Sequence, residues 1–152
     1  MERPSIYDAA GGEAAFRALA AEHHRRCLAD PLLEHPFSHG VRPDHVERLA
    51  AYWAEVFGGP PRYSETYGGE PAMMGMHAGY GITAETGERF VECFVAAQDA
   101  VGLPDEPALR GSLRAYMEWA VADVLARQAP GTTADPLAVV PRWGWEGLQP
   151  AS

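Results

Sequence analysis

The chain has 152 residues, of which 47% are hydrophobic and 22% charged, and it carries a formal net charge of -9. That length and balance predict one ordinary globular domain with a real core and exclude wholesale disorder. The acidic charge, with no Lys/Arg cluster, excludes nucleic acid and anionic membrane surfaces as natural partners and points to small or uncharged ligands.

The N-terminal stretch Met1 to Ile6 lacks the apolar centre of a signal peptide, and no run reaches the length of a membrane span, so a cytoplasmic protein is expected. Glu13 to Ala29 follows the breaker pair Gly11-Gly12 and precedes Asp30-Pro31. Phe16, Leu19, Ala20, His23 and Cys27 recur on one side of it, which predicts a helix with that face inward. Pro31 to Pro43 reads as loop and short turns carrying Leu33 and Phe37 inward; Pro36 and Gly40 argue against a helix, so His35 and His39, four apart, are read as surface residues rather than metal ligands.

A second helix begins near Pro43 and Asp44 and places Val46, Leu49, Ala50, Trp53 and Phe57 on one face until Gly58-Gly59-Pro60-Pro61 stops it. Gly58 to Pro71 shows no period and reads as a long loop. Pro71 opens a short apolar turn, Ala72 to His77, cut off by Gly79 and Gly81, so that one histidine stands on a single turn of helix. Thr83, with Glu85 and Glu88 behind it, caps a third long helix with Phe90, Val91, Phe94, Ala97 and Val101 on its face, Cys93 on its flank and Gly102 at its end. Asp105 to Gln128 is a fourth, burying Leu109, Leu113, Tyr116, Met117, Ala120, Val121, Val124 and Leu125.

After residue 130 the composition turns to Gly, Thr, Pro and Asp, giving a domain over 1–130 and an extension over 131–152 whose Trp143 and Trp145 suggest packing back on the domain. No strand with convincing alternation is visible. Cys27 and Cys93 both fall inside helical patterns and read as small buried hydrophobes in a reduced protein. Catalytic serine or cysteine signatures, Walker loops and dinucleotide fingerprints are absent. The fold class is all-α, and the four helices with an interposed loop make a pocket rather than a simple bundle.

Several pieces in order, Tyr7-Asp8-Ala9-Ala10-Gly11-Gly12-Glu13, Arg48-Leu49, Phe57-Gly58-Gly59-Pro60, Arg62-Tyr63-Ser64-Glu65 and Met76-His77-Ala78, resemble the group II truncated haemoglobins over roughly residues 5 to 128. The resemblance implies a two-over-two helical sandwich around haem b, with His77 as the proximal iron ligand; a neutral imidazole can bind iron through one nitrogen and be oriented through the other. It puts Phe37 over the porphyrin and Leu49 over the distal face, and brings Arg48, Arg62 and Tyr63 toward the haem propionates. Phe90 stands where these proteins usually carry Trp, which removes an indole donor from the distal pocket. His24 and His45, where Tyr and a small residue are more usual, are then the distal polar candidates, although helical phase sets His23 nearer the centre of its face than His24.

Met73, Met74 and Met76 stand before His77, where Arg is common, and are expected to pack against the porphyrin. The implied ligands are oxygen, nitric oxide, carbon monoxide or peroxide. Three functions stay open: a haem oxidoreductase of nitric oxide dioxygenase or peroxidase type, served by an unknown reductase; a non-catalytic carrier or sensor of diatomics; and a haem-free globin-like interaction protein. A monomer and a homodimer are both compatible with the sequence.

Overall fold

The computed structural model describes residues 3–33, 44–69, 83–127 and 139–149. Phe37, Met73, Met74, Met76 and His77, and the pair His35 and His39, lie outside the described residues.

Helix α1 (Ile6–Ala10) starts at Ser5, whose hydroxyl accepts from the Asp8 amide, and buries Ile6 and Ala10. No helix was expected there, because five residues are too few to display a period. Helix α2 (Gly12–Ala29) buries Phe16, Leu19, Ala20, His23 and Cys27, the face read from the sequence. Helix α3 (His45–Val56) is more deeply set than its periodicity suggests: every residue from Ala50 to Phe57 is buried. Its alanines let neighbouring elements approach on several sides, where larger side chains would have held them off.

The loop expected from Gly58 contains a one-turn helix, α4 (Arg62–Thr66). Buried Glu55 anchors it, because its carboxylate accepts from the Ser64 amide at 2.9 Å and also from the Ser64 hydroxyl. The turn before α4 is tight. Gly58 has φ +100°, and a Cβ on Gly59 would meet the Tyr7 ring at 2.7 Å and the Ala54 carbonyl oxygen at 2.8 Å. Glycines at this corner are therefore required both by backbone conformation and by the approach of α1.

Helix α5 (Ala84–Ala100) is capped by the Thr83 hydroxyl on the Thr86 amide, and it buries Val91, Phe94, Ala97 and Gln98. Helix α6 (Pro107–Arg127) packs on α5 and buries Leu109, Leu113, Tyr116 and Met117. The principal packing is α2 on α3 and on α5, and α5 on α6. The aromatic centre runs from Tyr7 through Phe16 and Phe57 to Tyr116, with successive ring centroids 5.7, 5.7 and 4.9 Å apart.

The C-terminal residues form a small antiparallel hairpin of β1 (Trp143–Gly144) and β2 (Gly147–Leu148), pairing Trp143 with Leu148 and Gly144 with Gly147. Two-residue strands cannot show alternation, which explains why none was visible. Trp143 is buried beside Tyr116 and Trp119, the Trp145 indole donates to the Pro4 carbonyl at 2.8 Å, and Arg142 donates to the Glu55 carbonyl at 3.0 Å. The hairpin thus ties the N-terminus to the end of α3.

Candidate functional site

The histidines of α2 and α3 meet. The His24 and His45 rings have centroids 4.8 Å apart and planes tilted by 48°, with His24 Nδ1 and His45 Nε2 both shielded from solvent. Partial burial lowers the His24 pKa, so its ring is neutral at pH 7 and offers one N–H donor and one lone pair. His24 owes this position to its place beside the buried stripe of α2, and His45 to the first turn of α3, which packs against that stripe.

Behind the pair sits His23, fully buried, with its Nε2 3.3 Å from the Phe90 carbonyl oxygen. Trp53, Phe90 and Phe94 present rings to it at centroid distances of 5.4, 4.4 and 6.0 Å, all near perpendicular. Desolvation pushes the His23 pKa down to about 3; the Phe90 carbonyl acts in the opposite direction, and the nearby His24 and His45 rings add to the lowering. The neutral ring donates from Nε2 to Phe90, and Cys27 Sγ lies 3.7 Å from both ring nitrogens. His23 was not among the residues singled out for the site, yet its signal was present in the sequence as the centre of the α2 face.

On α3, Arg48 and Leu49 follow His45 by about one turn and so lie along its side of the helix. The Arg48 guanidinium pairs with Asp44 at 2.8 Å and lies 4.7 Å over the Tyr67 ring, while Leu49 is half-buried at the edge of the core. Tyr63 is buried, edge-on to Tyr52 at 5.0 Å and tilted against Tyr67 at 5.8 Å. Arg62 pairs with Glu13 at 3.0 Å. Glu13 begins α2, and His24 stands eleven residues further along it, on the order of 16 Å at 1.5 Å per residue. The structure therefore brings together His24, His45, His23 and Phe90, with Arg48 and Leu49 alongside, and sets the Arg62 guanidinium at the other end of α2.

Chemically, the arrangement is a pair of half-buried imidazoles next to a third that is enclosed by aromatic rings. It can donate or accept a hydrogen bond to a small polar atom. Among the described residues no group of three or more His, Cys, Asp or Glu side chains is disposed to hold a metal ion.

The model of the family described as bacterial-like globin matches residues 5–124. The chain belongs to the bacterial-like globin family. Its fold is that of the truncated haemoglobins: the crystal structure of the haemoglobin from Chloroflexus aurantiacus superposes with a TM-score of 0.69 at 31% identity, covering 80% of this chain and 98% of that one. The truncated oxygen-avid haemoglobin from Bacillus subtilis does so with a TM-score of 0.69 at 26% identity, again over 80% and 98%. In sequence, the chain is 29% identical to the group 2 truncated haemoglobin YjbI of Bacillus subtilis over 95 residues, which is 62% of this chain and 70% of that protein. The group II resemblance read from the Gly58-Gly59 corner and the segments around it is thus borne out at the level of family and fold. No helix among the described residues is long and apolar enough to cross a membrane.

Proposed function

We propose that this globin holds haem b through His77 and binds oxygen and other small ligands on the side lined by His24 and His45. The observation that carries this reading is the meeting of those two rings, 4.8 Å apart, next to His23 and the rings around it, buried Trp53 and Phe94 and half-buried Phe90. A pair of imidazoles beside an aromatic cluster fits a flat, largely apolar cofactor with a polar centre. Bound haem supplies a redox-active iron that takes diatomic ligands.

The chain's own part is to shape what such a ligand meets. Phe90 offers a ring edge and no donor in place of the indole that is usual in these proteins. His24, kept neutral by burial, would provide an N–H toward a partly negative ligand atom, and the His45 ring beside it would orient that donor or replace it. The remaining cofactor contacts follow from the family resemblance: Phe37, Leu49, Met73 and Met76 against the porphyrin, and Arg48, Arg62 and Tyr63 toward the propionates. Both arginines are paired with a carboxylate, Arg48 with Asp44 and Arg62 with Glu13, and Arg48 is the better placed of the two because it lies one turn from His45. Oxidation of nitric oxide or reaction with peroxide would extend this binding function, with a reductase as partner.

The test is ligand release from the purified protein. Replacing His24 or His45 with Leu should speed oxygen release about ten-fold, the loss of one hydrogen bond worth about 1 to 2 kcal/mol. Carbon monoxide release should change far less, because that ligand carries less negative charge when bound. Because the rings touch, the double variant should fall short of the product of the single effects. Unchanged oxygen release in both single variants removes the distal assignment.

A further inference from the structure

A second cluster of reactive side chains lies where α2 packs against α5. Two contacts bracket it: His23 Nε2 on the Phe90 carbonyl oxygen at 3.3 Å, and Arg89 on Asp30 at 2.7 Å. On α2, Cys27 lies one turn beyond His23 and one turn before Asp30; on α5, Cys93 lies one turn beyond both Arg89 and Phe90. The contacts on either side of them accordingly set the two thiols opposite one another across the packed helices. Cys27 is fully buried and Cys93 half-buried, so one sulfur is reachable from solvent and the other is reachable only from the first.

Their surroundings differ in a way that assigns the order of attack. Burial holds both thiols protonated, and the Asp30 carboxylate adds to this at each. At Cys93 the Arg89 and Arg26 guanidinium groups act in the opposite direction and favour its thiolate. Cys93 is therefore the attacking sulfur and Cys27 the resolving one.

We propose that Cys27 and Cys93 form a dithiol site that is converted to an intrachain disulfide joining α2 to α5, with a small-molecule disulfide of the glutathione type as oxidant. Cys93 gives its proton to solvent and its sulfur attacks one sulfur of the oxidant. The oxidant's S–S bond breaks, the first thiolate leaves and takes up a proton, and Cys93 carries a mixed disulfide. Cys27 then attacks the Cys93 sulfur, the mixed bond breaks, and the second thiolate leaves with the proton given up by Cys27. Two protein S–H bonds and one small-molecule S–S bond are replaced by one protein S–S bond and two small-molecule S–H bonds, so the protein loses two electrons and two protons to the oxidant. The new bond removes the thiol hydrogen from the sulfur that lies 3.7 Å from both His23 ring nitrogens and pins α5 one turn from Phe90, so the redox state of the pair is felt at the histidine cluster.

The experiment treats the full chain with glutathione disulfide under native conditions and reads intact mass without reductant. The expected product is the chain less two hydrogen atoms, reversed by dithiothreitol. Cys27→Ser should stop with one glutathione attached at Cys93, and Cys93→Ser should stay unmodified. The wild-type rate should rise about ten-fold per pH unit while the Cys93 thiol remains mostly protonated. Two unreacted thiols, a stable glutathione adduct on the wild-type chain, or a disulfide-linked dimer as the main product would each overturn the proposal, and none of these readings depends on haem.

Discussion

The His23 Nε2 atom lies 3.3 Å from the carbonyl oxygen of Phe90, and this one contact joins the buried faces of α2 and α5 behind the His24–His45 pair. A histidine so placed must stay neutral for the fold to persist. Its pKa is about 3 in the folded chain, far below the ordinary 6.5 of the unfolded one. Between those two values the unfolded state binds a proton that the folded state does not, so stability is full above pH 6.5 and falls as pH drops toward 3. The slope from this group is about 1.4 kcal/mol per pH unit. Urea unfolding at a series of pH values should show it, and His23→Phe should flatten it over the same interval. An unchanged slope in the variant would mean that carboxylates, and not this imidazole, set the acid limit.

Helices α5 and α6 approach closely at Gly87, where a Cβ would stand 2.3 Å from Val121 Cγ1. Gly87→Ala should destabilise the fold by about 1 to 3 kcal/mol, against the gain that alanine normally brings to a helix interior. The double variant with Val121→Ala should recover part of the loss. Thermal unfolding of the two proteins checks both signs.

The C-terminal hairpin holds two distant places at once, through Arg142 on the Glu55 carbonyl and Trp145 on the Pro4 carbonyl. Deleting residues 139–152 should therefore loosen α1 and the end of α3 together, exposing amides near Tyr7 and Phe57 to faster hydrogen exchange. The lost burial of Trp143 alone is worth about 3 kcal/mol or more. Exchange confined to the new C-terminus would show that the hairpin is only attached to the domain and does not brace it.

Much of the fold was legible from apolar spacing. Phe16, Leu19, Ala20, His23 and Cys27 were read as one face of α2, and all five are buried; Thr83 was read as a cap, and it caps α5. The elements missed were those too short for a period, namely α1, α4 and the hairpin. Glu55 escaped for a different reason. A carboxylate between Ala54 and Val56 reads as solvent-facing until the turn that brings Ser64 to it is known. At the site, the candidates His24 and His45 were legible by resemblance alone, whereas His23 was legible by phase and its role by neither, because a buried histidine and a ligating one leave the same mark in a sequence.

The proposed function stands or falls on whether this chain takes up haem at His77. The most direct measurement is the absorption spectrum during titration of the purified chain with haem, wild type beside His77→Ala, with far-ultraviolet circular dichroism to show that both are folded. The account predicts a Soret band that saturates at one haem per wild-type chain and is lost or strongly shifted, with weak retention, in the folded variant. A folded wild-type chain that takes up no haem, or a variant whose Soret band and stoichiometry match the wild type, would contradict it.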